Sequence, residues 1–151
     1  MDWYYKGEVM TSIEDFPPLT FGFTYRITHI PSDKAYIGKK VLQFTRKAKL
    51  TKRDLAVYEG QSGRKPTYKK ITKESDWKSY YGSHKEIMAL IKEGKQNEFK
   101  REILTLTRSK KLLTYEETKA LFLYEVLQKP DEYFNDNILG KFFRKDFDIQ
   151  D

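Results

Sequence analysis

The chain has no cysteine. This removes disulfide staples and thiolate metal sites from consideration and is compatible with a reducing cytoplasm. The only histidines are His29 and His84, too far apart in sequence to form a zinc spacing. No stretch approaches the roughly 18 apolar residues needed to span a bilayer. The opening segment MDWYYKGEVMTSIEDF lacks a basic region followed by an apolar run and does not read as a secretory signal. A soluble, cytoplasmic protein is therefore expected. There is no Walker-type loop and no GxGxxG, so nucleotide-driven chemistry is not indicated. Neither an internal repeat nor a low-complexity tract is present.

What the chain does have is basic charge. Across 151 residues the formal net charge is +7, a balance that suits a polyanionic partner. The charge is concentrated. Between Lys39 and Lys73 stand twelve basic residues, opposed only by Asp54 and Glu59, a local charge of +10. The group comprises Lys39, Lys40, Arg46, Lys47, Lys49, Lys52, Arg53, Arg64, Lys65, Lys69, Lys70 and Lys73. Such a patch suits a phosphate backbone, and a solvated lysine-rich loop is the plainer alternative. Apolar residues make up 38% and charged residues 34% of the chain, enough for one compact core.

The hydrophobic pattern predicts an α+β domain. Residues 1–20 read as an irregular N-terminal arm closed by Pro17 and Pro18, and 21–151 as the domain proper. Phe21–Ile30 is rich in aromatic and β-branched residues and reads as a strand. Pro31-Ser32-Asp33 signals a turn, and Lys34–Leu42 the returning strand, giving a hairpin. Residues 43–73 contain Gly60, Gly63 and Pro66 without an apolar period and read as a mobile basic loop. Ser83 and Glu86 fit a capping box for a helix striped by Ile87, Leu90 and Ile91 and ended by Gly94. Glu98–Thr107 predicts a third strand. Thr114 to Lys129 predicts a second helix, stopped by Pro130. The expected architecture is a small three-stranded antiparallel sheet, the hairpin plus one strand, flanked by helices.

The hairpin carries a family resemblance. Tyr36-Ile37-Gly38 is an intact second triplet, and Phe23-Thr24-Tyr25 stands where a Gly-Ile-Tyr would be. Tyr36 follows Tyr25 by eleven positions and Arg46 follows Tyr36 by ten. This pattern resembles the GIY-YIG nuclease core. The segments Trp77 to Ser83, Phe99 to Leu104, the Glu-bearing late helix and Tyr133-Phe134-Asn135 are similar to a phage subgroup of that family, the homing-endonuclease-like Seg proteins. The resemblance runs from about residue 20 to the C-terminus. The first triplet departs from the pattern by lacking its glycine and isoleucine.

The resemblance implies a metal-dependent DNA endonuclease acting on double-stranded DNA with Mg²⁺, or Mn²⁺. A catalytically inactive DNA-binding module of the same fold is the alternative. Glu117 would anchor the metal, since a hard cation that keeps several waters needs few carboxylates. Thr114-x-x-Glu117 also reads as a capping box, and Glu116 is the neighbouring alternative for the metal. Tyr25 and Tyr36 would hold the nucleophilic water, the first as a candidate base. Their simpler role is packing, common for strand aromatics. Arg46 would bind the non-bridging phosphate oxygens, unless it is one more member of the basic run, and Arg46, Lys39 and Lys40 could stabilise the anion of a tyrosine base. Lys39 and Lys40 alternate across the strand, so only one should face the site. Asn135 would pack near the metal or form a turn with Asp136 and Asn137. Lys40, Lys47, Lys49, Lys52, Arg53, Arg64, Lys65, Lys69 and Lys70 would hold DNA.

Overall fold

The computed structural model describes residues 2–60, 63 and 66–147. Its centre is the expected hairpin, β3 (Gly22–His29) and β4 (Lys34–Val41), turned at Ile30–Asp33. Strand β7 (Phe99–Thr107) lies antiparallel on the other side of β3. The sheet does not stop at three strands. β1 (Trp3–Tyr5) pairs parallel to β7, and β2 (Glu8–Met10) pairs antiparallel to β1. The result is a mixed five-stranded sheet of order β2-β1-β7-β3-β4. Part of the stretch read as an irregular arm is thus sheet. Lys6 and Gly7, at φ of 49° and 83°, make the tight turn that a two-residue hairpin requires. Trp3 supplies the apolar anchor. It is 1% exposed, and its indole donates to the Trp77 carbonyl at 2.7 Å.

Strand alternation divides the side chains into two layers. Phe23, Tyr25 and Ile27 enter one core with Trp3, Phe16, Trp77 and Phe99, where α2 (Lys85–Lys92) adds Ile87. Ile37 and Ala35 enter the other, with Leu121 of α3 (Lys110–Leu123) and Val126, Leu127 and Tyr133. A β-bulge interrupts the β3–β7 ladder: Thr24 faces Thr105 while Tyr25 faces Ile103, leaving Leu104 as the extra residue. The bulge resets the alternation, so that Ile103 and Leu106 pack against the first core and Leu104 against the second. The two tryptophans, both buried, sit in the first core, where the Trp77 indole also donates to Glu74 at 2.7 Å.

The helices start at residues other than those expected. Ser109 caps α3, accepting from the Leu112 amide, so the helix begins before Thr114 and Thr114-x-x-Glu117 is not its cap. It ends at Leu123 rather than Lys129, because Tyr124 caps it and Glu125 takes a positive φ of 54°. His84, not Ser83, caps α2, its Nδ1 accepting from the Glu86 amide at 3.2 Å. Among the described residues no helix is long and apolar enough to cross a membrane.

The basic segment is not a structureless loop. β5 (Gln43–Lys49) and β6 (Tyr68–Glu74) form a two-stranded antiparallel ribbon, with the short helix α1 (Lys52–Ala56) between them. Thr51 and Asp54 cap α1 reciprocally. Charge on both faces conceals the strand period in the sequence, whereas backbone pairing is indifferent to it. The ribbon joins the sheet at Leu42 and Ser75: the Ser75 amide donates to the Leu42 carbonyl and its hydroxyl to that of Val41.

Candidate active site

The register of the central hairpin sets Tyr25 opposite Gly38 and Ile27 opposite Tyr36. The Tyr25 ring lies over Gly38, and a Cβ at that position would collide with the ring and its hydroxyl. The glycine of the Tyr36-Ile37-Gly38 triplet is therefore dictated by the tyrosine across from it. Tyr25 is 1% exposed and shares a 3.3 Å hydrogen bond with the Tyr80 hydroxyl. Tyr36 lies beside it, ring centroids 6.3 Å apart, with its hydroxyl 3.5 Å from Ser83 Oγ. Burial pushes Tyr25 well above the ordinary phenol value, and burial raises Tyr36 as well. The nearby Glu117 charge adds to both shifts. Both are neutral phenols in this environment, suited to hydrogen bonding rather than to carrying negative charge.

Glu117 approaches from the other face of the sheet. Starting α3 at Ser109 places Glu117 two turns into the helix, against β4. Lys39, on the same face as Ile37, brings Nζ to 3.8 Å from Glu117 Oε1 and donates to Thr114 Oγ1 at 3.2 Å. The Glu117 side chain is 19% exposed. Burial raises its pKa, and the Lys39 ammonium only partly opposes the rise. A mostly buried carboxylate with one distant ammonium is under-compensated and would be relieved by a cation.

Tyr36 and Glu117 meet at the sheet edge. Because β4 is the outermost strand, a cleft of about 380 Å³ wraps around it, lined by Tyr36, Ser83, His84, Glu117, Asn135 and Asp136. The C-terminal segment covers part of that edge. The Ala35 amide donates to the Glu132 carbonyl, and the Ala35 carbonyl accepts from Phe134. Asn135 continues the pairing: its Oδ1 accepts from the Ile37 amide at 3.0 Å and its Nδ2 donates to the Ile37 carbonyl at 2.9 Å. Both ends of the amide hold the strand, so Asn135 is a buried backbone clamp beside the cleft. Arg144 ties the clamp down through the carbonyls of Val126, Tyr133 and Asn135.

The structure brings Tyr25, Tyr36, Lys39, Glu117 and Asn135 together. Glu116 does not line the cleft. Arg46 is not part of this group: it is exposed on β5, opposite Ile71, and no hydrogen bond or ion pair joins it to the tyrosines or Glu117. Lys40 points to the opposite face from Lys39, 4.1 Å above the Tyr80 ring and paired with Asp76 at 2.5 Å. Lys47, Lys49, Lys69 and Lys70 are on the ribbon, with Lys52 and Arg53 on α1. Arg64 and Lys65 lie outside the described residues. His29 bonds Ser32 and Glu98 at the hairpin turn, outside the cleft.

Two cleft residues escaped the sequence reading. His84 caps α2 while its ring lies between Tyr36 and Phe134, at centroid distances of 5.6 and 5.4 Å. With Nδ1 accepting from the Glu86 amide, the neutral ring carries its proton on Nε2. Asp136 adds a second carboxylate to the cleft lining and contributes to the raised pKa of Tyr36. Nothing in the local spacing marks either residue, since the fold alone brings 84, 117 and 136 together.

Among the described residues no group of three or more His, Cys, Asp or Glu side chains could hold a metal. The donor set excludes a zinc-type cage. It fits an oxygen-seeking ion held by one carboxylate, with a second nearby and water completing the shell.

A search of curated proteins found no match, nor did a search of solved structures. A family model described as "Putative endonuclease segE, GIY-YIG domain" matches residues 3–138. That span includes the β3–β4 hairpin, the β5–β6 ribbon, the cleft-lining helix α3 and β1, which lies before the hairpin motif. The chain belongs to the segE-type GIY-YIG family.

Proposed function

We propose that the chain is a DNA endonuclease that hydrolyses phosphodiester bonds in the cleft at the β4 edge. The observation that carries this reading is the convergence of Tyr36 and an under-compensated Glu117 on one opening, with neutral Tyr25 packed behind Tyr36 and Lys39 beside Glu117. Glu117 is the residue suited to hold Mg²⁺ or Mn²⁺, with Asp136 near enough to share the cleft. When bound, such an ion supplies Lewis-acid stabilisation of the phosphate and acidifies a water.

The chain's own residues then have distinct tasks. Tyr36, at the cleft wall, orients the attacking water through its hydroxyl. Tyr25 sits behind it and fixes its position through ring contact, with a hydroxyl that can pass a proton toward Tyr80. Lys39 is the cation placed to bind a non-bridging phosphate oxygen, the task expected of Arg46 from the sequence. His84 lines the cleft with its Nε2–H free of the helix cap. Arg46 stands among the exposed cations of the ribbon.

Supercoiled plasmid incubated with the full chain tests this reading. Nicked or linear product is expected with Mg²⁺ or Mn²⁺ and none with EDTA. Glu117→Ala should abolish cleavage while DNA binding persists. Plasmid that stays supercoiled with both ions, at neutral and alkaline pH, would overturn it.

A further inference from the structure

The ribbon has two unlike faces. Register and alternation put Thr45, Thr72, Lys47, Lys70, Lys49 and Tyr68 on one of them. The other carries Phe44, Arg46, Ala48, Lys69, Ile71 and Lys73, and there Lys69 meets Asp54 of α1 at 2.6 Å. The second face is thus partly covered by α1. Beyond Gln43 and Glu74 at its base, the first is open: Lys47, Lys49 and Lys70 are exposed, Tyr68 is 54% exposed, and among the described residues the Thr45–Thr72 hydroxyl contact at 3.3 Å is the side-chain bond that crosses it.

Lys47 and Lys70 are direct cross-strand partners. Like charges so placed destabilise a strand pair. Among the described residues no carboxylate pairs with Lys47, Lys49 or Lys70. Folding does not call for this arrangement, whereas a polyanion lying on the face does. The dimensions narrow the choice of polyanion. The two strands lie ~4.8 Å apart and, at seven residues each, run for ~23 Å. A ribbon of that width enters the major groove of B-form DNA, ~12 Å wide, but not the deep, narrow major groove of an RNA duplex.

We propose that the β5–β6 ribbon is a DNA-docking element whose Thr45/Lys47/Lys49/Tyr68/Lys70/Thr72 face enters the major groove. The inference rests on DNA being the substrate of the cleft. The lysines span toward the phosphates at the groove walls. The threonine methyls and the Tyr68 ring face the base edges, where thymine methyl groups offer apolar contact. Attachment at Leu42 and Ser75, directly after β4, would deliver the duplex to the edge that bears Tyr36 and Lys39.

Binding of a short DNA duplex to the full chain, measured in EDTA so that nothing is cut, tests the inference. Methyl green, a major-groove cation, should compete with the protein, and netropsin, a minor-groove cation, should not. An RNA duplex of the same sequence should bind much more weakly. The triple substitution K47A/K49A/K70A should remove the methyl green competition and lower the log–log salt slope by ~0.9 per lysine. K6A/K129A/K141A removes the same charge outside the ribbon, Lys6 at the sheet edge opposite β4, and should leave both unchanged. Competition by netropsin instead, equal affinity for RNA, or an unaltered slope in the ribbon triple would each overturn the docking mode. Metal-dependent plasmid cleavage alongside any of those results would leave the nuclease reading standing. Loss of both cleavage and DNA binding in the wild-type chain would remove both.

Discussion

Two hairpins follow one another in this chain, β3–β4 and then β5–β6, separated by Leu42 alone. In the first, Phe23, Tyr25, Ile27 and Ile37 are at most 1% exposed, and layers of side chains pack on both faces. In the second, no described residue is buried, and Phe44 stands 39% exposed. The same backbone pattern thus arises from different sources. The first hairpin is held by apolar surface removed from water, at roughly 1.5–3 kcal/mol for each fully buried large side chain. The second has its own ladder, one threonine contact and the Lys69–Asp54 pair, in which Lys69 holds the aspartate down at about 2. Such exposed pairs contribute little. The contrast teaches that the first hairpin is shaped by the needs of the fold, and the second by what it meets outside.

The sharpest way to break that comparison is a matched pair of truncations. Phe23→Ala should cost about 3–5 kcal/mol in urea unfolding, enough to threaten the fold. Phe44→Ala should cost less than about 1 kcal/mol. Similar losses would mean that the ribbon is part of the cooperative core. A second test separates the tasks of the hairpins. Tyr25→Phe keeps the ring over Gly38 and removes only the hydroxyl, so the fold and the affinity for DNA should persist. Single-turnover cleavage should slow by ~10²–10⁴-fold if that hydroxyl takes part in proton transfer. A folded variant that cuts at the wild-type rate would assign Tyr25 to packing and leave Tyr36 as the water ligand.

The smallest expected effect concerns pH. Burial raises the Glu117 pKa, so the folded chain binds that proton more tightly than the unfolded chain. Its contribution to stability is complete below the ordinary glutamate range and is lost as pH rises through the raised value. At neutral pH without divalent metal, the ionised carboxylate is a local liability. Glu117→Gln should therefore melt at a slightly higher temperature than wild type at pH 7, and the gain should shrink on acidification. A divalent ion should raise the wild type and not the variant. A glutamine variant that melts lower at pH 7 would assign Glu117 to structural pairing with Lys39 and Thr114.

The sequence makes the first hairpin legible because everything that defines it is local. Tyr25, Tyr36 and Gly38 sit within one turn-connected unit, and aromatic and β-branched residues mark its strands. The third strand and both long helices are visible for the same reason. The partnership of β1 with β7 is not, because it joins Trp3 to Arg101 across nearly the whole chain. The ribbon is hidden by its own composition, since lysines on both faces erase the alternation that signals a strand. The start of α3 is displaced because Ser109 competes with Thr114 as a cap, and only the packing of Leu113 and Leu121 decides between them. Arg46 illustrates the limit of spacing: its interval from Tyr36 places it on the ribbon, while Lys39 is the cation beside Glu117.

The two tryptophans give this architecture a built-in optical reporter. Trp3 and Trp77 are the only ones in the chain, both lie in one dry aromatic cluster, and the Trp77 indole grips Glu74, the last residue of the ribbon. Emission from the native protein should accordingly be blue-shifted and shielded from iodide. With no tryptophan on the ribbon itself, any spectral change on adding DNA would come from the joint where the ribbon meets the sheet, without a single introduced label.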